Sequence, residues 1–237
     1  MGALLAGPQQ MSLGERAALE GVLCALRPEL AIEIGTAEGG SLRRIAAHSA
    51  EVHSFDLVDP DPKTAAIEHA TFHAGDSHEL LPAFLAELAR DGRNVDFVLV
   101  DGDHSAPGVR RDIEDLLDSP AIGRTVILLH DTANEEVRRG IDAVDLDRFP
   151  KVTQADFDFV AGYVFRDASL RDEIWGGVGV ILVDEDDPRS PDLPARQQRM
   201  VETATLLREA RNARVGGRPP GRGIRTALSA RLGRRPR

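Results

Sequence analysis

The chain has 237 residues, 42 % of them apolar and only 4 % aromatic, with 39 acidic against 29 basic residues and a net charge of −10. That length suits one buried core of Leu, Val, Ile and Ala and is short for two. No apolar run reaches the ~18 residues of a membrane span, no basic-then-apolar leader opens the chain, and one cysteine excludes an internal disulfide, so a cytoplasmic protein is expected.

Ser12 and Glu15 form a capping-box pattern, which predicts a helix to about Leu26, stopped by Pro28. Cys24 lies in this apolar stretch and is expected to be a buried, inert thiol. Residues 30–35 read as a buried strand, and Gly39, Gly40 and Ser41 open a second helix to about His48. A strand over 51–58 is broken by D-P-D-P. A short helix near 63–69 and a short strand over 71–74 follow. Leu80, Leu81, Phe84, Leu85 and Leu88 recur at helical spacing within 78–92. The run at 95–101 is apolar throughout and ends in acid, as in a parallel strand buried on both faces. A helix over 105–118, a strand over 124–131 and a helix over 133–144 complete five strand–helix units. Two strand-like segments, 152–167 and 177–186, then follow with no long helix between them and read as a hairpin.

This rhythm predicts an α/β fold: a doubly wound, mostly parallel seven-stranded sheet closed by an antiparallel strand pair. The domain is expected to span 1–186, with a linker and C-terminal helix over 187–215 and a basic, disordered tail over 216–237. Residues 208–237 hold ten arginines and one acid, so the tail is basic and the body acidic. The tail carries no interleaved aromatics, so no strong nucleic-acid signal is present; contact with an anionic membrane surface is the functional reading.

Ligands of open α/β sheets bind at the carboxyl ends of the strands. Here those ends read Glu33-Ile-Gly35, Asp56, Gly75-Asp76-Ser77, Asp101-Gly-Asp103-His104 and His130-Asp131, and all five are polar or glycine. Gly35 permits a tight turn, and Gly39 and Gly40 permit close backbone approach to a ligand. Asp56 follows Gly35 by 21 residues, the place of an acid that accepts bonds from ribose hydroxyls. A nicotinamide-type fingerprint would need glycine at 37, where this chain has Ala37. For His104 and Asp103, helix capping or surface exposure stands beside catalysis as a reading. The histidines at 48, 53, 69, 73 and 78 are assigned no role.

In this setting E-x-G-x-x-x-G (Glu33, Gly35, Gly39) resembles motif I of class I S-adenosylmethionine-dependent methyltransferases. Asp56 matches their second-strand acid, and Gly75-Asp76-Ser77 resembles the loop that faces adenine. V-D-G-D-H-S and L-L-H-D-T are similar to the D-G-D-H and H-D signatures of a subfamily related to sugar and macrolide O-methyltransferases. The resemblance implies a donor site of Glu33, Gly35, Gly39, Ser41, Asp56, Asp76, Ser77 and Asp101. It also implies a divalent cation, Mg²⁺ or another, held by Asp101 and Asp131, with His130 or Thr132 as third ligand. Asp103 or His104 is then the base, and the acceptor a hydroxyl of a small molecule or carbohydrate. A metal-dependent hydroxylase on this fold and a non-catalytic adenosine-binding scaffold are the alternatives.

Overall fold

A computed structural model describes residues 10–164, 174–187 and 209. Helix α1 (Leu13–Leu26) starts as its pattern predicts: Ser12 Oγ accepts the Glu15 N–H and Glu15 accepts the Ser12 N–H. It ends at Arg27, left-handed at φ 48°, before Pro28. Then come β1 (Leu30–Ile34), α2 (Leu42–His48), β2 (Glu51–Asp56), β3 (Ala70–Ala74), α3 (Ser77–Arg90), β4 (Phe97–Val100), α4 (Ala106–Asp118), β5 (Arg124–His130) and α5 (Glu135–Asp142). The chain finishes with β6 (Val152–Val160), a small ribbon of β7 (Tyr163–Val164) and β8 (Ile174–Trp175), and β9 (Val178–Asp184).

The large sheet has the order β3-β2-β1-β4-β5-β9-β6. The first five strands pair in parallel, and β9 runs antiparallel to both β5 and β6. The seven-stranded sheet and its closing antiparallel pair are as expected. The central strands are buried on both faces, so their side chains alternate between two cores. Ala31, Phe97, Leu99 and Leu128 pack under Leu19 and Leu23 of α1 and Leu42 and Ile45 of α2. Ile32, Val98, Val100 and Ile127 pack under α3, α4 and α5 through Leu81, Leu85, Ile113, Leu116 and Ile141.

Four expectations need correction or fall outside the described residues. Residues 63–69 form turns and no helix. The Asp61 carboxylate takes the Lys63 and Thr64 N–H groups and the Thr64 hydroxyl, bonds that compete with a helical start, and His69 is left-handed at φ 64°. The strand expected over 152–167 stops at Val160, and the ribbon lies between it and β9. Cys24 is exposed, because the buried stripe of α1 runs through Glu15, Arg16, Leu19 and Leu23. Apart from Asp187 and Glu209, the linker, helix and basic tail expected over 187–237 lie outside the described residues. No helix among the described residues is long and apolar enough to cross a membrane.

Candidate active site

The carboxyl ends of β1 to β5 open into a cavity of about 1050 Å³. Its floor is the β1–α2 loop. Gly35 sits at φ 93°, and a Cβ there would lie 2.1 Å from the Asp101 carbonyl oxygen, so only glycine lets β1 and β4 turn out side by side. Gly39, at φ 69°, is held against Thr64 and Ile67 rather than facing the cavity. Asp56 braces the loop: its Oδ2 accepts the Thr36 N–H (2.8 Å) and the Ala37 N–H (3.1 Å), and its Oδ1 accepts the Val58 N–H. These bonds hold Ala37 in a left-handed conformation at φ 43°.

Glu33 is fully buried beneath this loop and does not line the cavity. Its carboxyl accepts the hydroxyls of Ser41 (2.5 Å) and Ser54 (2.9 Å), and burial pushes its pKa up to about 8. Ser41, Asp56, Asp76 and Ser77 do line the cavity. Asp76 also caps α3, its side chain accepting the His78 N–H.

Across the cavity, β4 and β5 bring Asp101, His104, His130 and Asp131 together. His130 Nδ1 lies 3.0 Å from Asp101 Oδ1 and 3.4 Å from Asp131 Oδ2. His104 Nε2 lies 3.0 Å from Asp131 Oδ2 and 3.6 Å from Asp101 Oδ1. Hydrogen bonds to Asp101 and then Asp131 raise the His104 pKa to about 9. Burial alone would lower the His130 pKa, but the charge of Asp101 and the bonds to Asp101, Asp131 and Glu15 hold it well above the usual range. Burial alone would raise the Asp131 pKa, but bonds from His104 and His130 hold it well below. Asp131 is itself left-handed at φ 55°, fixed by the Gly176 N–H on its Oδ1 (2.6 Å) and by the Asn134 N–H on its carbonyl.

Ligand atoms of Asp101, His130 and Asp131 all lie within 4.8 Å of one another. Two hard carboxylates and one imidazole fit a divalent cation, with the nitrogen tilting the set from Mg²⁺ toward softer ions. Asp103 lines the cavity, but its carboxylate accepts the Ser105 N–H (2.7 Å) and hydroxyl (2.9 Å) at the start of α4. Of the two candidate bases, the structure brings His104 to the acidic pair.

Several cavity residues were not legible in the sequence. Tyr163 and Trp175, on the ribbon, form one wall, with Trp175 edge-on to His104 at 5.5 Å. Arg16 of α1 lines the other side. Glu15, read only as a cap, also accepts the Gly177 N–H (2.6 Å) and lies 3.8 Å from His130 Nε2.

A family model described as a methyltransferase domain matches residues 32–132, which hold the five strand ends just described. Over that stretch the chain is similar to a methyltransferase domain. Among solved structures, cofactor-bound Rv0187 from MTB is 17 % identical, with a TM-score of 0.51 over 77 % of this chain and 85 % of that one. The O-methyltransferase from Bacillus cereus in complex with SAH is 15 % identical, also at 0.51, over 76 % of this chain and 86 % of that one. At such identities the likeness is one of fold, and it extends beyond the matched stretch. No curated protein matches the chain. The matched family thus agrees with the class that the strand-end motifs resemble, and α1 and the ribbon add lining to the cavity from outside the matched residues.

Proposed function

We propose that this methyltransferase takes its methyl group from S-adenosylmethionine and delivers it to a hydroxyl of a small-molecule or carbohydrate-like acceptor, assisted by a divalent cation. The observation that carries the reading is a single cavity with a braced glycine loop on one side and the Asp101, His130 and Asp131 set on the other. On the donor side, Gly35 and Ser41 approach the amino-acid end, Asp56 takes the ribose hydroxyls, and Asp76 and Ser77 face adenine. Glu33 and Gly39 act one layer back, Glu33 by fixing Ser41 and Gly39 by letting the loop pack on Thr64. Asp101 borders both halves.

A divalent cation on Asp101, His130 and Asp131 would lower the pKa of an acceptor hydroxyl. With the charge of the two aspartates neutralised by such a cation, His104 would fall back toward the ordinary imidazole range and would be placed to accept the hydroxyl proton. The acceptor oxygen then bonds to the methyl carbon as the carbon–sulfur bond breaks, and the electron pair stays on sulfur. Positioning by the cavity supplies much of the acceleration, since no covalent enzyme intermediate is needed.

Calorimetric titration tests this. S-adenosylmethionine should bind with micromolar affinity while NADH does not, and Mg²⁺ or Mn²⁺ should add a second heat. Asp56→Ala should weaken donor binding at least ~10-fold, since it removes charge-assisted acceptors from both loop and ribose. Donor affinity unchanged in Asp56→Ala would overturn the assignment.

A further inference from the structure

The side of the cavity walled by α1 contains a cationic group with one unpartnered nitrogen among the described residues. Arg16 is 7 % exposed, yet it lines the cavity. Its Nε donates to the Ser12 carbonyl at 3.3 Å, and its buried Nη1 has no hydrogen-bond partner among the described residues. A buried guanidinium nitrogen left unbonded is costly, and an anionic ligand removes that cost.

Contacts between the two helices locate this group. Cys24 Sγ of α1 lies 3.9 Å from the His48 ring of α2, and Glu20 lies 3.3 Å from His48 and 3.5 Å from Arg44. The two helices therefore run side by side in the same sense. Arg16, one turn before Glu20, lines the same cavity as Gly40, Ser41 and Arg44. The cavity is thus polarised: acids (Asp56, Asp76) stand where β2 and β3 end, and guanidinium groups stand beside the β1–α2 loop.

We propose that Arg16 receives the α-carboxylate of the methyl donor, so that a helix outside the matched domain selects donors carrying their amino-acid end. This rests on the donor reading above. With the nucleoside directed to Asp56 and Asp76, the amino-acid end extends to the opposite side, where Arg16 stands. A guanidinium offers a two-pronged donor set to a carboxylate, and a lysine ammonium offers only a point charge.

The test compares S-adenosylhomocysteine, which has the carboxylate, with 5′-methylthioadenosine, which lacks the whole amino-acid end, by calorimetry on the full chain. Wild type should bind S-adenosylhomocysteine the more tightly. Arg16→Met should weaken S-adenosylhomocysteine tenfold or more and leave 5′-methylthioadenosine within about twofold, which also shows that the variant is folded; Arg16→Lys should restore part of the loss. Equal weakening of both probes, or of neither, overturns the role of Arg16 alone. Wild type binding neither probe overturns the donor reading, and this inference with it.

Discussion

His104 shows how much of this site depends on charge balance at single residues. Its ring sits between two carboxylates, whose hydrogen bonds hold the pKa near 9 against an ordinary value of 6.5. A raised histidine stabilises the fold fully below 6.5, and that contribution is lost as pH rises through about 9. Proton NMR of the His104 ring should show a midpoint near 9 without cation and a lower one with millimolar Mg²⁺. Asp101→Asn, which removes the largest cause, should lower it without any cation. A midpoint that ignores both changes would contradict the charge account. Glu33 follows the same rule on a carboxyl. Its pKa rises from 4.5 to about 8 through burial, so its contribution is present below 4.5 and lost as pH climbs through 8. Glu33→Gln keeps the shape and the two serine contacts. Its stability relative to wild type, from urea melts, should be near zero at pH 4.5 and favour the variant by a few kcal/mol at pH 8. The acids and histidines of the cluster were legible because they end apolar strands, where polar residues have no packing reason to stand. Glu15 was not, since its bond to Gly177 joins segments 162 residues apart and its local pattern already had an explanation as a cap.

Among the elements, the loops were less legible than the strands and helices. The central parallel strands β1, β4 and β5 show in the sequence because both faces are buried, which forces nearly continuous apolar runs. The turn over residues 63–67 resembled a helix because its composition permits one, and only the bonds to Asp61 show which form prevails. The ribbon wall was missed for a similar reason: Tyr163 and Trp175 pair across a segment whose spacing gives no period to read. The β1–α2 loop depends on Gly35 more than on any helix it joins. Gly35→Ala adds a methyl group 2.1 Å from the Asp101 carbonyl and forces an L residue to φ 93°. Left-handed strain alone costs about 1–2 kcal/mol and the backbone clash adds to it, so at least about 2 kcal/mol should be lost. For a chain this size that is a fall in Tm of roughly 4–8 °C by calorimetry. Donor binding should fall with it, because relieving the clash moves β4 and Asp101.

At the scale of the whole molecule, helix α1 couples stability to the site. It lies outside the matched residues 32–132, yet it packs on one face of the sheet, presents Arg16 to the cavity and bonds Gly177 through Glu15. Its anchors, Leu19 and Leu23, are buried among Ala31, Phe97, Leu99 and Leu128 from three central strands. Leu23 is fully buried and sits two turns from the cavity, so its truncation separates anchoring from contact with ligand. Leu23→Ala should cost 2–5 kcal/mol, the span depending on how far α1 settles into the space left behind. If α1 acts as part of the site, loosening it should also weaken donor binding. Where α1 stays docked in the native state, the variant melts lower but binds the donor as wild type does. At a donor concentration 100 times Kd both proteins then gain about 2.7 kcal/mol. Where truncation lets α1 swing away, affinity falls and the gain at the same donor concentration shrinks. Because Arg16 lies on the docked face beside these anchors, the second outcome is expected. Melting curves of both proteins across a donor series measure it directly, and equal shifts at every concentration would show α1 to be a cover for the sheet and nothing more.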